Sequence, residues 1–160
     1  MTNNGAYKHS GSCACGELTY YLATDPMFVH CCHCWECQKQ TGSAYVLNAL
    51  IETDQVTLEG QGTEHALETP SGKGQIITRC AVCGTAVLSK YMVRQGKLTY
   101  VRVGTMDDPA ACPPDVQIFT SSKQPWVPLS VDIKSFEEFY VFKDVWPENA
   151  FERLRALFAE

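Results

Sequence analysis

All but Cys112 of the nine cysteines fall into three short groups, Cys13-Ala14-Cys15-Gly16, Cys31-Cys32-His33-Cys34-Trp35-Glu36-Cys37 and Cys80-Ala81-Val82-Cys83-Gly84. Thiols clustered in this way constrain the fold, because the groups must meet either as disulfides or as metal ligands. The stretch from Met1 to Gly16 is polar and Gly-rich without an apolar export segment, and no run approaches the roughly 18 apolar residues that span a bilayer. The expected location is therefore the cytoplasm, where thiols stay reduced and metal ligation outranks a disulfide framework. The odd number points the same way, since pairing within one chain would leave a thiol over.

Cys80-Ala81-Val82-Cys83-Gly84 has the form of a zinc knuckle: the spacing lets a tight turn aim both sulfurs at one ion, and the following glycine relieves the backbone. Cys13 and Cys15 are closer together, but residues i and i+2 of an extended chain point to one side and also converge. Cys13, Cys15, Cys80 and Cys83 together make the closed four-sulfur set of a structural zinc, tying the N-terminal segment to a hairpin distant in sequence.

In the middle group, Cys32 and Cys34 share a face of an extended segment, Cys31 and His33 face the other way, and Cys37 returns through a turn. Cys31 and Cys112 belong to no second pair, so no fourth sulfur is evident. Three protein ligands with one open position is the arrangement of a catalytic zinc. Two alternatives remain open here. One is a closed structural site with His30, His33, Cys31, Cys112 or a carboxylate as fourth ligand; the other is thiol redox chemistry at Cys31 and Cys32, against the strain of joining neighbours.

A length of 160 residues, 45% hydrophobic and 19% charged, describes one folded domain spanning 1–160. The formal charge of −5 argues against nucleic acid or anionic lipid as partners, because both need clustered Lys and Arg. Alternation at Leu18, Tyr20 and Leu22 predicts a strand, and similar runs occur at Ala44–Ile51, Gln55–Leu58, Glu64–Leu67, Gln75–Thr78, Ala86–Tyr91, Leu98–Val103 and Val116–Thr120. Their close spacing predicts antiparallel hairpins, joined by turns such as Glu59–Gly62, Thr69–Gly74, Arg94–Lys97 and Asp107-Asp108-Pro109. A helical stripe of Phe151, Leu154 and Phe158, with Pro147 in its first turn, predicts a C-terminal helix over about 147–159. The stretch Cys37–Thr41 could form one further helical turn, but it is too short for its pattern to decide.

Gly11-Ser12-Cys13-Ala14-Cys15-Gly16, then Cys32-His33-Cys34-Trp35-Glu36-Cys37-Gln38-Lys39-Gln40-Thr41-Gly42-Ser43, then Cys80-Ala81-Val82-Cys83-Gly84-Thr85 resembles the glutathione-dependent formaldehyde-activating enzyme (GFA) family, which includes centromere protein V. Gly104-Thr105-Met106-Asp107-Asp108-Pro109 and Ser122-Lys123-Gln124-Pro125-Trp126 are similar to its later landmarks, so the resemblance covers about 11–126. It implies a mainly β fold, the β-tent of antiparallel hairpins around zinc knuckles, with two zinc ions per chain. It further implies that glutathione and an aldehyde react at the zinc of Cys32, Cys34 and Cys37, reversibly giving S-hydroxymethylglutathione, a carbon-sulfur lyase activity. Gln38 stands where the family often has Arg, and Gln117 where His commonly precedes the residue corresponding to Ile118. An Arg at position 38 would pair with a carboxylate of glutathione, which Gln cannot do. A non-catalytic zinc-stabilised interaction module is the competing reading.

Overall fold

The computed structural model describes residues 7–69 and 72–159; Pro70 and Ser71 of the Thr69–Gly74 turn, and the polar start Met1–Ala6, lie outside them. Strands β1 (His9–Ser12), β2 (Leu18–Leu22) and β5 (Val56–Gly60) form a small antiparallel sheet. A second sheet contains β3 (Phe28–Cys32), β4 (Val46–Glu52), β6 (Gly62–Leu67), β7 (Gln75–Cys80), β8 (Ala86–Tyr91), β9 (Leu98–Arg102), β10 (Val116–Ile118) and β11 (Lys134–Ser135). Its order is β11-β10-β3-β4-β9-β8-β7-β6. The helices are α1 (Trp35–Thr41), α2 (Phe142–Val145) and α3 (Glu148–Ala156).

The period-two alternation of β4 explains the layering. Leu47, Ala49 and Ile51 join Leu18, Tyr20 and Leu22 of β2 in one core, while Val46 and Leu50 face a second core. There they meet Phe28, Leu98, Tyr140, Trp146, Ala150 and Leu154, so the large sheet is covered by the small sheet on one face and by the C-terminal segment on the other. Each such large apolar side chain contributes roughly 1.5–3 kcal/mol on burial. Arg153 fastens α3 to the end of β4 through a bidentate pair with Glu52, Nε to Oε1 at 2.7 Å and Nη2 to Oε2 at 2.6 Å.

The protein is mainly β with a C-terminal helix, as the sequence predicts, but several details differ. The sheet is not built of antiparallel hairpins alone: β10 runs parallel to both β3 and β11. The strand expected over Val116–Thr120 stops at Ile118 because Phe119 turns into the left-handed region at φ 55°. Strands β1 and β3 escape the alternation rule, one being His-Ser-Gly-Ser and the other holding cysteines that read as a ligand loop. Pro147 caps α3 from outside rather than sitting in its first turn, and the helix ends at Ala156. Gly11 in β1 lies so close to β2 that a Cβ there would stand 2.3 Å from Tyr20 Oη and 2.5 Å from Thr105 O.

Candidate metal centres and the adjoining groove

The first centre joins the start of the chain to the β7–β8 hairpin. Cys13–Gly16 is not extended chain, as the i, i+2 argument required, but a turn closed by Gly16 N donating to Cys13 O at 3.1 Å. It is one residue shorter than the Cys80–Gly84 turn, where Gly84 N donates to Cys80 O at 3.0 Å. Gly16 and Gly84 occupy φ 82° and 75°, a region in which a side chain is strained. The four sulfurs of Cys13, Cys15, Cys80 and Cys83 lie within 4.8 Å of one another. Cys15 Sγ is 3.5 Å from Cys13 Sγ and 3.7 Å from Cys80 Sγ. A tetrahedral ion with metal–sulfur bonds of about 2.3 Å spaces its sulfurs about 3.8 Å apart, so the donor set fits zinc.

Donors already point at these sulfurs: Leu18 N to Cys13 Sγ at 3.3 Å, Val82 N to Cys80 Sγ at 3.4 Å, and Thr85 Oγ1 beside Cys83 Sγ at 3.2 Å. The Thr85 hydrogen bonds bring the Cys83 thiol down to about 5. Cys15 receives a backbone hydrogen bond from Glu17 that favours its thiolate, yet neighbouring Cys13 pushes it up to about 12. Sulfurs this close oppose ionising together, and a shared dication removes that opposition.

The second centre forms where β3 runs into α1. Cys32 ends the strand, Cys34 is the N-cap of the helix with extended backbone, and Cys37 N donates to Cys34 Sγ at 3.4 Å. All three sulfurs lie within 4.8 Å of one another, with Cys32 and Cys37 buried and Cys34 half-buried. Among the described residues no fourth Cys, His, Asp or Glu ligand atom joins them at that separation. Hydrogen bonds from Cys32 and Cys37 lower Cys34 to about 3, while Cys32 is raised by its contacts with Cys34 and Cys37.

The residues considered as a fourth ligand are engaged elsewhere. His30 Nε2 meets Tyr140 Oη at 2.6 Å, and burial lowers the imidazole to about 3. Cys31 Sγ meets His33 Nε2 at 3.5 Å; burial raises this thiol to about 11 and lowers the imidazole, so the two form no thiolate–imidazolium pair. Cys112 is buried in the core between the sheets. The Asp107 turn latches β1, with Ser10 Oγ donating to Asp107 Oδ2 at 2.5 Å. Trp126, in the last segment of the family resemblance, is 73% exposed.

Both glutamines at the departures from the family pattern are buried and internally bonded. Gln38 Nε2 donates to His33 O at 2.6 Å and Ser122 O at 3.0 Å, while its Oε1 accepts from Gln124 Nε2 at 2.7 Å. Gln117 Nε2 donates to Ser130 O at 3.0 Å and Ser135 Oγ at 2.9 Å, and its Oε1 accepts from Ser130 N at 3.0 Å. Each brackets a loop to the strand or helix that carries it.

A groove of about 430 Å³ runs between the two centres. One side is Gln40 and Thr41 of α1 with Tyr45; the other is Gly84 and Thr85 of the first centre; Arg79 and Arg102 line it as well. Arg102 is 4% exposed, and its charge acts on Cys37. Sequence reasoning missed it, although an arginine closing the apolar run Leu98–Val103 was a visible signal.

A mainly β chain with two cysteine clusters suited to metal ions defines the class of protein. The sequence profile of the glutathione-dependent formaldehyde-activating enzymes matches residues 8–122, and the chain belongs to that family. Curated proteins give no match. A Rhodobacter sphaeroides protein of known crystal structure is similar at 15% identity and TM-score 0.49, over 64% of this chain and 93% of that one, a likeness too low to carry an argument.

Proposed function

We propose that the chain is a zinc-dependent enzyme of the carbon-sulfur lyase type, joining glutathione or a related small thiol to an aldehyde, as in reversible S-hydroxymethylglutathione formation. Cys13, Cys15, Cys80 and Cys83 hold a structural zinc, and Cys32, Cys34 and Cys37 hold a second, reactive one. The whole of 1–160 acts as one cytoplasmic domain. The observation that carries this reading is the three-sulfur cluster without a fourth protein ligand among the described residues, in a chain of the formaldehyde-activating family. When bound there, zinc supplies a site that favours the thiolate form of an incoming thiol near neutral pH.

The chain's own residues provide the frame. Cys34 as N-cap and Cys37 in the first turn of α1 keep the sulfurs together, and the Gln38 bracket fixes the helix to the Ser122–Gln124 segment. Sulfur–carbon bond formation turns the aldehyde oxygen into a hydroxyl, and the proton given up by the thiol ends on that oxygen. Nothing beyond the two reactants is consumed.

Titration of the cobalt-substituted protein with glutathione tests the reading. A change in the visible spectrum, lost in Cys34→Ser, is the expected result. If glutathione, cysteine and cysteamine all leave the spectrum unchanged, the open-site reading fails and a non-catalytic interaction module, with exposed Trp35 and Trp126 as contacts, takes its place.

A further inference from the structure

We infer that Arg79 and Arg102 form a carboxylate-binding site in the groove beside the three-sulfur centre, holding the acidic end of the substrate thiol. The inference rests on the thiol reading above for the identity of the ligand, but on the arginines themselves for the site. Arg102 is 96% buried by its 4% exposure, and its Nε has no hydrogen-bond partner. Its Nη1 donates to Asn48 Oδ1, a neutral acceptor. Among the described residues Arg79 likewise donates to neutral acceptors, Gly84 O at 3.1 Å and Gln40 Oε1 at 2.9 Å. Neither arginine belongs to any of the ion pairs among the described residues.

A buried guanidinium without an anion is costly, and in a chain of formal charge −5 acidic partners were available in abundance. The groove nevertheless carries both arginines and no Asp or Glu along its lining. Sulfurs ionised on a metal at the second centre would offset part of the Arg102 charge. The Nε of Arg102 stays without a partner, and Arg79, half-exposed, lines the same groove. Thr41, Tyr45 and Thr105 add hydroxyl groups to the same lining. A planar guanidinium matches a carboxylate, which is the group a peptidic thiol brings and a simple aliphatic thiol lacks. Gln38, whose amide is spent on His33, Ser122 and Gln124, has no donor left for this task.

The test uses S-methylglutathione, which has the carboxylates but no free thiol, and its dimethyl ester, which has neither. Binding to the zinc-loaded protein is followed by calorimetry and by the arginine Nε–Hε cross-peaks in nitrogen–proton correlation spectra. The acid is expected to shift the Arg79 and Arg102 cross-peaks and to bind at least about tenfold more tightly than the ester, with the difference lost in Arg79→Gln. Equal binding of acid and ester, or binding that moves neither arginine signal, overturns the inference. Should Arg79→Gln lose zinc, the acid-against-ester comparison on the unmutated protein still decides. Because the methylated ligand brings no thiolate to an open metal position and the arginine cross-peaks report on the groove itself, failure here is distinct from a silent cobalt titration, which would strike the thiol reading alone.

Discussion

Replacing Gln38 by Ala separates a structural glutamine from a substrate-facing one. The side chain is 8% exposed and makes three hydrogen bonds, at 2.6, 3.0 and 2.7 Å, to His33 O, Ser122 O and Gln124 Nε2. His33 O keeps a partner, since Ser122 Oγ also donates to it at 3.1 Å. The loss is therefore the net value of the bonds without a full orphan penalty at His33, about 2–3 kcal/mol at roughly 1 kcal/mol per bond. For a chain of this size each kcal/mol moves the melting temperature by roughly 2–4 °C, so the zinc-loaded variant should melt about 5–10 °C lower.

The affinity for S-methylglutathione should meanwhile change less than about threefold, because no Gln38 donor is free for a ligand. A double-mutant cycle with Gln124→Ala should return a coupling of about 0.5–1.5 kcal/mol for the 2.7 Å amide pair. An unchanged melting temperature together with a tenfold loss of ligand affinity would refute the reasoning, placing Gln38 in the position that an arginine has in relatives.

Elemental analysis should give about two zinc ions for the unmutated chain; Cys34→Ser should stay folded with about one, and Cys80→Ser should lose the fold with its metal. Gly11→Ala should cost at least about 2 kcal/mol in chemical denaturation, because the new Cβ meets backbone Thr105 O at 2.5 Å as well as Tyr20; a neutral result would mean β1 and β2 separate easily. Arg153→Ala should remove about 1–3 kcal/mol and raise amide exchange in α3 before the sheet, since both bonds to Glu52 are charge-assisted. Asp25 is held low by hydrogen bonds from His9 and then Lys8, so its contribution is present above the unfolded carboxylate value of about 4 and fades as pH falls through the folded one. Asp25→Asn should accordingly lower the melting temperature at pH 7, leave it unchanged at a pH low enough to protonate the carboxyl in both states, and so flatten the acid limb of the profile.

The cysteine groupings were legible because ligand geometry is local. Cys80–Gly84 encodes its own turn, and Cys34–Cys37 its own helix start, whatever the remainder of the chain does. The same locality misled at Cys13–Gly16: extended chain and tight turn both converge two sulfurs, and only the hydrogen bond from Gly16 N to Cys13 O, with Gly16 at φ 82°, distinguishes them. Strands with alternating apolar residues were found, and β1 and β3 were not, because the former is polar and the latter is buried at every residue, so neither alternates. Gln38 and Gln117 stood out as departures from a family pattern, but their meaning lies in Ser122, Gln124, Ser130 and Ser135, partners that no local rule connects to them.

Arg102 shows where the boundary falls. The sequence places a cation at the end of an apolar strand, and one expects such a residue either to reach solvent or to find an acid. Strand β9 lies inside the sheet between β4 and β8, which denies Arg102 the first solution, and the residue opposite it on β4 is Asn48, which denies it the second. A charge retained at 4% exposure under those conditions needs an anion, supplied by a ligand or by sulfurs ionised on a metal. Arg79, half-exposed, can reach solvent and needs no such balance, but it lines the same groove, so a ligand carboxylate there would meet both guanidinium groups where the centre alone would meet one.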